Sequence, residues 1–136
     1  MPFPVLLCFV VAISDGDTLT ARCDHQTVKV RLAQIDAPEK NQAYGQRSKQ
    51  SLSNICFNKQ AVIKPETIDK YGRTVAHVEC DGIEANREQV KQGMAWVYDK
   101  YAKDQTLYLE QDSAKGNKRG LWADEAVPPW VFRSAK

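Results

Sequence analysis

The chain has 136 residues, of which 43% are hydrophobic and 26% charged. That length suits one domain with a real core, and that composition excludes a disordered tail or a membrane-embedded protein. Lys and Arg number 19 against 17 Asp and Glu, a net charge of +2. This excludes a protein that coats nucleic acid by bulk charge, but not a local basic groove.

Val5 to Ile13 is an unbroken apolar run, shorter than the ~20 residues that span a bilayer. No Lys or Arg precedes it and no small-x-small site follows, so it reads as a buried first strand, Cys8–Ile13. Residues 1–7 are taken as an N-terminal extension or signal remnant. Ser14-Asp15-Gly16 turns the chain into a second strand, Thr18–Cys23. Asp24-His25-Gln26 turns it again into Thr27–Leu32, where polar and apolar residues alternate with the period of a half-buried strand. Pro38 disfavours helix before it, so Ile35 to Glu39 leaves the strand as a loop. Gly45–Cys56 is predicted as a first helix with Leu52, Ile55 and Cys56 inward. Ala61–Lys64 and Thr74–Cys80 are predicted as two further strands around the loop Asp69 to Arg73.

The pattern then becomes helical. Asn86 is expected to N-cap a second helix, with Gln89 at the capping-box position and Gly93 just past its end. Asp104 is expected to cap a third, running to about Lys118, with Gly120 after it. Pro128-Pro129 is expected to end regular structure, with Trp130 and Phe132 docking the tail. Five short strands with helices inserted and appended predict a mainly β (α+β) fold, a five-stranded OB-type Greek-key barrel with three helices. The domain is placed at residues 8–124 and a C-terminal tail at 125–136.

The four cysteines have no C-x-x-C spacing, which excludes a zinc knuckle or a thioredoxin motif. Cys8 and Cys23 flank the Asp15-Gly16 turn almost equidistantly, so antiparallel pairing sets them side by side. The expected disulfides are Cys8–Cys23 and, by elimination, Cys56–Cys80; the competing reading is four reduced core thiols.

Asp17, Arg31, Asp36, Glu39 and Arg73 sit at loops or strand ends, where catalytic residues concentrate on rigid scaffolds. Singly, each has an ordinary reading: a hairpin turn for Asp17, a solvated strand residue for Arg31, a turn or helix cap for Asp36 and Glu39, a turn for Arg73. Together they resemble the staphylococcal (micrococcal) nuclease family. The resemblance runs from about Val10 to Trp122. Its landmarks are Asp15-Gly16-Asp17-Thr18, Val30-Arg31-Leu32, Ile35-Asp36-Ala37-Pro38-Glu39, Asp69-Lys70-Tyr71-Gly72-Arg73-Thr74, Asn86 through Ala95, and Arg119-Gly120-Leu121-Trp122.

The resemblance implies a calcium-dependent endonuclease acting on DNA and RNA, leaving 3′-phosphate and 5′-hydroxyl ends. It implies Asp17, Asp36 and the main-chain carbonyl of Ala37 as Ca²⁺ ligands, the carboxylates being hard oxygen donors. It implies Arg31 and Arg73 as guanidinium forks on the scissile phosphate, and Glu39 as the group that orients or deprotonates the attacking water. Lys70 and Tyr71 resemble contacts to a terminal phosphate, and Tyr98 or Tyr101 a stacking position for an unpaired base. The competing function is a non-catalytic nucleic-acid-binding OB-fold module. The chain is expected to be a monomer with no membrane partner, exported to the periplasm or secreted if its cysteines are paired.

Overall fold

The structure, a computed structural model, describes residues 3–135. Period-two patterning has its expected result in the first half of the chain. Strands β1 (Leu6–Asp15), β2 (Thr18–Cys23) and β3 (Gln26–Leu32) form an antiparallel meander. Val30 and Leu32 turn into the core, while Thr27 and Lys29 face solvent. After a two-residue strand β4 (Ile35–Asp36) and helix α1 (Gly45–Cys56), strands β5 (Gln60–Ile68) and β6 (Thr74–Cys80) pair with each other. β5 adds to β1, and β6 lies parallel to β3 with Val30 opposite Thr74. That pairing closes a five-stranded mixed barrel and removes the sheet edges. β6 buries Thr74, Ala76, Val78 and Cys80 in strict alternation.

The second half follows as β7 (Ile83–Glu84), α2 (Ala85–Lys91), β8 (Trp96–Val97), α3 (Thr106–Gly116), a 3-10 turn at Gly120–Ala123 and α4 (Pro129–Ser134). β8 pairs with β4, Trp96 opposite Asp36. Both disulfides form as expected: Cys8–Cys23 bridges directly opposed residues of β1 and β2, and Cys56–Cys80 ties the end of α1 to the end of β6. Among the described residues no helix is long and apolar enough to cross a membrane.

Three expectations are corrected. β1 begins at Leu6, so the last two residues of the supposed extension belong to the barrel. Pro128-Pro129 does not end regular structure: Pro129 starts α4, where its missing N–H costs nothing and its fixed φ suits the first turn. Among the described residues four α-helices are therefore present rather than three. Asn86 does not cap α2; Glu84 holds that position. Instead the buried Asn86 amide accepts from Val78 N–H at 3.0 Å and donates to Ala33 and Ala76 carbonyls at 2.9 and 3.1 Å. It joins α2 to the barrel, because three buried main-chain partners outweigh one solvent-facing cap. Gln89 likewise donates to the carbonyls of Gly16 and Ser48.

Candidate active site

The site forms where the β1–β2 turn, the end of β3 and β4 converge. Asp15 pairs with Thr18, so Gly16 and Asp17 are the turn residues themselves. Close approach sets this turn: a Cβ on Gly16 would lie 2.7 Å from Ser48 Cβ and 2.9 Å from Ala37 Cβ. The missing side chain lets the turn press against α1 and the loop after β4. Gly45 does the same at the other end of that loop, where a Cβ would meet the Glu39 carbonyl at 2.1 Å.

Arg31 stands at the centre. Its Nη1 donates to the carbonyls of Leu32 and Ile35 at 2.7 and 2.8 Å. Its Nη2 lies 3.2 Å from Asp36 Oδ1 and 3.4 Å from Asp17 Oδ2. The fork thus faces inward and holds two carboxylates from different loops beside each other. Asp17 Oδ2 also accepts the Ala37 N–H at 2.8 Å, and Asp17 Oδ1 the Thr18 hydroxyl at 3.0 Å. Of the residues singled out for metal binding, Asp17 and Asp36 therefore come together on Arg31, and Ala37 is held beside Asp17 through its N–H.

Burial works against ionising Asp17, but the Arg31 charge and the hydrogen bonds it accepts hold its carboxyl below the usual range. Asp36, fully buried, is raised: burial dominates and the Asp17 charge adds to it, against the hydrogen bonds of Arg133. Asp15 is pushed up to about 7 by burial and then by Asp17 beside it. In the sequence the D-x-D spacing with Asp17 is the one mark of Asp15 as a site residue.

A carboxyl raised in the fold is protonated more in the folded than in the unfolded chain, so stability falls as pH climbs through the window between the two pKa values. For Asp15 that window runs from its ordinary 3.8 to about 7. In EDTA, the melting temperature is expected to fall between about pH 5 and about pH 7, and Asp15→Asn to flatten that fall. Melts followed by circular dichroism check this; an unchanged slope in the variant would count against it.

Glu39, half-buried in the loop after β4, lies 3.7 Å from Arg133 Nη1. Arg73 immediately precedes Thr74, the residue paired with Val30 next to Arg31. Its Nε is bound to Asp69 Oδ2 at 2.8 Å, and burial of Asp69 is outweighed by these hydrogen bonds, which lower its pKa. Arg73 and Lys70 both lie over the Tyr71 ring, at 5.5 and 5.3 Å from its centroid. Lys70 and Tyr71 are exposed on this loop. Tyr98 stacks on Trp130 with centroids 5.4 Å apart and planes 4° from parallel, and meets Tyr101 edge-on. Tyr101 is exposed; Trp96 is buried between Trp122 and Trp130.

No local pattern points to Arg133. From α4 it grips Asp36 with both terminal nitrogens, Nη2 to Oδ2 at 2.5 Å and Nη1 to Oδ1 at 3.2 Å. These residues are 97 positions apart.

Comparison with known proteins adds an independent line. Residues 29–124 match the family model described as staphylococcal nuclease homologue. An uncharacterized endonuclease of Haemophilus influenzae is 48% identical over 118 residues, covering 86% of this chain and 66% of that protein. An uncharacterized endonuclease of Escherichia coli O157:H7 is 40% identical over 129 residues, 93% of this chain and 84% of that protein. A micrococcal nuclease of Shigella flexneri is 38% identical over 138 aligned positions, 93% of this chain and 79% of that protein.

Proposed function

The chain belongs to the staphylococcal nuclease family, and on that premise we propose that it is a calcium-dependent endonuclease that hydrolyses DNA and RNA with little sequence preference, leaving 3′-phosphate and 5′-hydroxyl ends. The observation that carries the reading is the convergence of Asp17 and Asp36 on one Arg31 guanidinium, in a buried turn backed by the Ala37 main chain.

The donor chemistry fits the cation. The candidate ligands are all oxygens, which hard divalent ions prefer. Burial and the proximity of Asp17 leave Asp15 and Asp36 reluctant to ionise, a penalty that a bound dication offsets. Among the described residues no three His, Cys, Asp or Glu side chains form a ready-made cage. The proposed protein ligands are accordingly two carboxylates, Asp17 and Asp36, and the carbonyl of Ala37. When bound, calcium supplies positive charge that offsets charge developing on the phosphoryl oxygens.

The chain's own residues do the rest. Arg31 keeps Asp17 ionised and both aspartates oriented, and its charge favours an anionic phosphate beside them. Arg73, just before the neighbouring strand, is the second guanidinium for that phosphate, released to it from Asp69. Glu39 orients or accepts a proton from the attacking water. Lys70 and Tyr71 extend the phosphate path, and Tyr98 and Tyr101 offer rings to an unpaired base. Two disulfides are stable in oxidising compartments, which supports an exported enzyme.

Digestion of plasmid DNA and of RNA with end-group analysis tests this. Cleavage is expected with calcium and none with EGTA. Glu39→Ala is expected to lower the rate by about 10²–10⁴ and Arg73→Ala by about 10²–10³. Undiminished cleavage in EGTA would sink the metal role, and tight binding without cleavage would favour a binding module.

A further inference from the structure

The segment from Asp124 to Arg133 runs as a strap over the candidate site. The Tyr44 hydroxyl holds Asp124, Gln42 Nε2 donates to the Val127 carbonyl at 2.5 Å, Trp130 lies flat on Tyr98, and Arg133 grips Asp36 and approaches Glu39. Its polar anchors fall on the loop between β4 and α1 or on Asp36. Its outer residues, Val127 and Val131, are 48% and 46% exposed. The strap is thus a one-sided covering whose charged grip, through Arg133, is on the same carboxylates that the proposed chemistry uses.

Charge makes the conflict specific. Asp17 and Asp36 carry two negative charges, and Arg31 and Arg133 match them with two positive ones. These four groups balance one another with no added ion. A dication at Asp36 needs the oxygens that Arg133 holds, and would sit beside a guanidinium of like sign, which low-dielectric surroundings penalise. Arg31 is tied by Leu32 and Ile35 carbonyls as well as by the carboxylates. Arg133 is partly exposed on a six-residue helix, and among the described residues its guanidinium has no such main-chain ties, only Asp36 and Glu39, so it is the cation that gives way.

We infer that Arg133 is an internal competitor of the divalent cation, and that cation binding releases α4 and uncovers the Tyr98 face and Glu39. The inference rests on the calcium reading of Asp17 and Asp36. It couples the two ligands: a base stacked on Tyr98 displaces Trp130 and strengthens cation binding, and the cation strengthens stacking by the same factor.

Calorimetric titration of calcium into the full chain at pH 8 tests this, comparing wild type with Arg133→Gln, Arg133→Lys and Asp36→Asn. Arg133→Gln is expected to bind at least about 10-fold more tightly than wild type, and Arg133→Lys to fall between them, because a lysine keeps the charge but loses the fork. Hydrogen exchange of residues 129–134 in the wild type is expected to quicken on calcium saturation. That second readout needs no variant to fold. Equal or weaker binding by a folded Arg133→Gln, or unchanged exchange, overturns the inference. If Asp36→Asn still abolishes binding in that case, the calcium reading survives and only the competition is lost. If wild type and all variants bind equally, or none binds, both fall.

Discussion

Replacing Arg31 by alanine is expected to remove about 3–5 kcal/mol of stability and at least about 100-fold of activity. The first figure follows from what the side chain leaves behind. Asp17 is 6% exposed and loses the cation that holds its carboxyl ionised; Asp36, fully buried, keeps only Arg133. Breaking a buried pair from one side costs more than the pair contributes, because the orphaned charge must be desolvated or protonated. The Leu32 and Ile35 carbonyls lose donors as well. The second figure follows from losing both the charge proposed to favour the phosphate and the orientation of the two aspartates. Arg31→Lys separates these effects. Its ammonium restores charge near Asp17 and recovers part of the stability, but one point donor cannot serve two carbonyls and two carboxylates together. Thermal melts and cleavage rates on the same preparations check this. A lysine variant with full activity would show that the inward fork is dispensable.

The residues of this cluster differ in how far the sequence discloses them. Asp17 and Arg31 lie within one meander and Asp36 follows it after a short turn, so a turn and a strand with period two nearly fix their neighbourhood before any tertiary contact is known. Arg73 is delivered by a parallel pairing of β6 on β3, which local pattern cannot give; the family resemblance supplied it. The strands themselves were legible because each buries one face, and the helix Gly45–Cys56 because its apolar positions recur at helical spacing. Asn86 and Gln89 were misplaced for the opposite reason. Cap rules weigh only neighbours in sequence, whereas these amides are satisfied by carbonyls of β6, the β3–β4 turn, the β1–β2 turn and α1. β4 and β8 have two residues each, too few to show a period. Arg133 lies beyond a double proline that reads as a stop, and its partner is 97 positions away. Nothing local encodes such a contact.

Reduction of both disulfides is expected to bring the chain close to unfolding at 37 °C. The bridges close loops of 15 and 24 residues. Loop-closure entropy values them at about 3 and about 3.5 kcal/mol, together comparable to the whole stability of an ordinary domain, about 5–15 kcal/mol. The two do different things. Cys8–Cys23 joins strands already in register through Phe9 and Arg22, so its loss leaves a ladder in place. Cys56–Cys80 joins α1 to β6, elements with no ladder between them, and both sulfurs are fully buried. α1 carries Ser48, against which the Gly16–Asp17 turn is pressed, so loosening this bridge loosens the turn that presents Asp17. Alanine pairs isolate each effect without burying new hydroxyls. Each is expected to lower the melting temperature by roughly 10 °C, and Cys56→Ala/Cys80→Ala to lower activity more than Cys8→Ala/Cys23→Ala at temperatures where both are folded. Scanning calorimetry with and without a phosphine reductant, paired with cleavage rates, measures both. Superimposed melts would mean that the barrel core alone carries the fold. A large shift would mean that the site is assembled only where disulfides persist, so that the compartment in which the nuclease is active is set by the same bond that holds Asp17 in place.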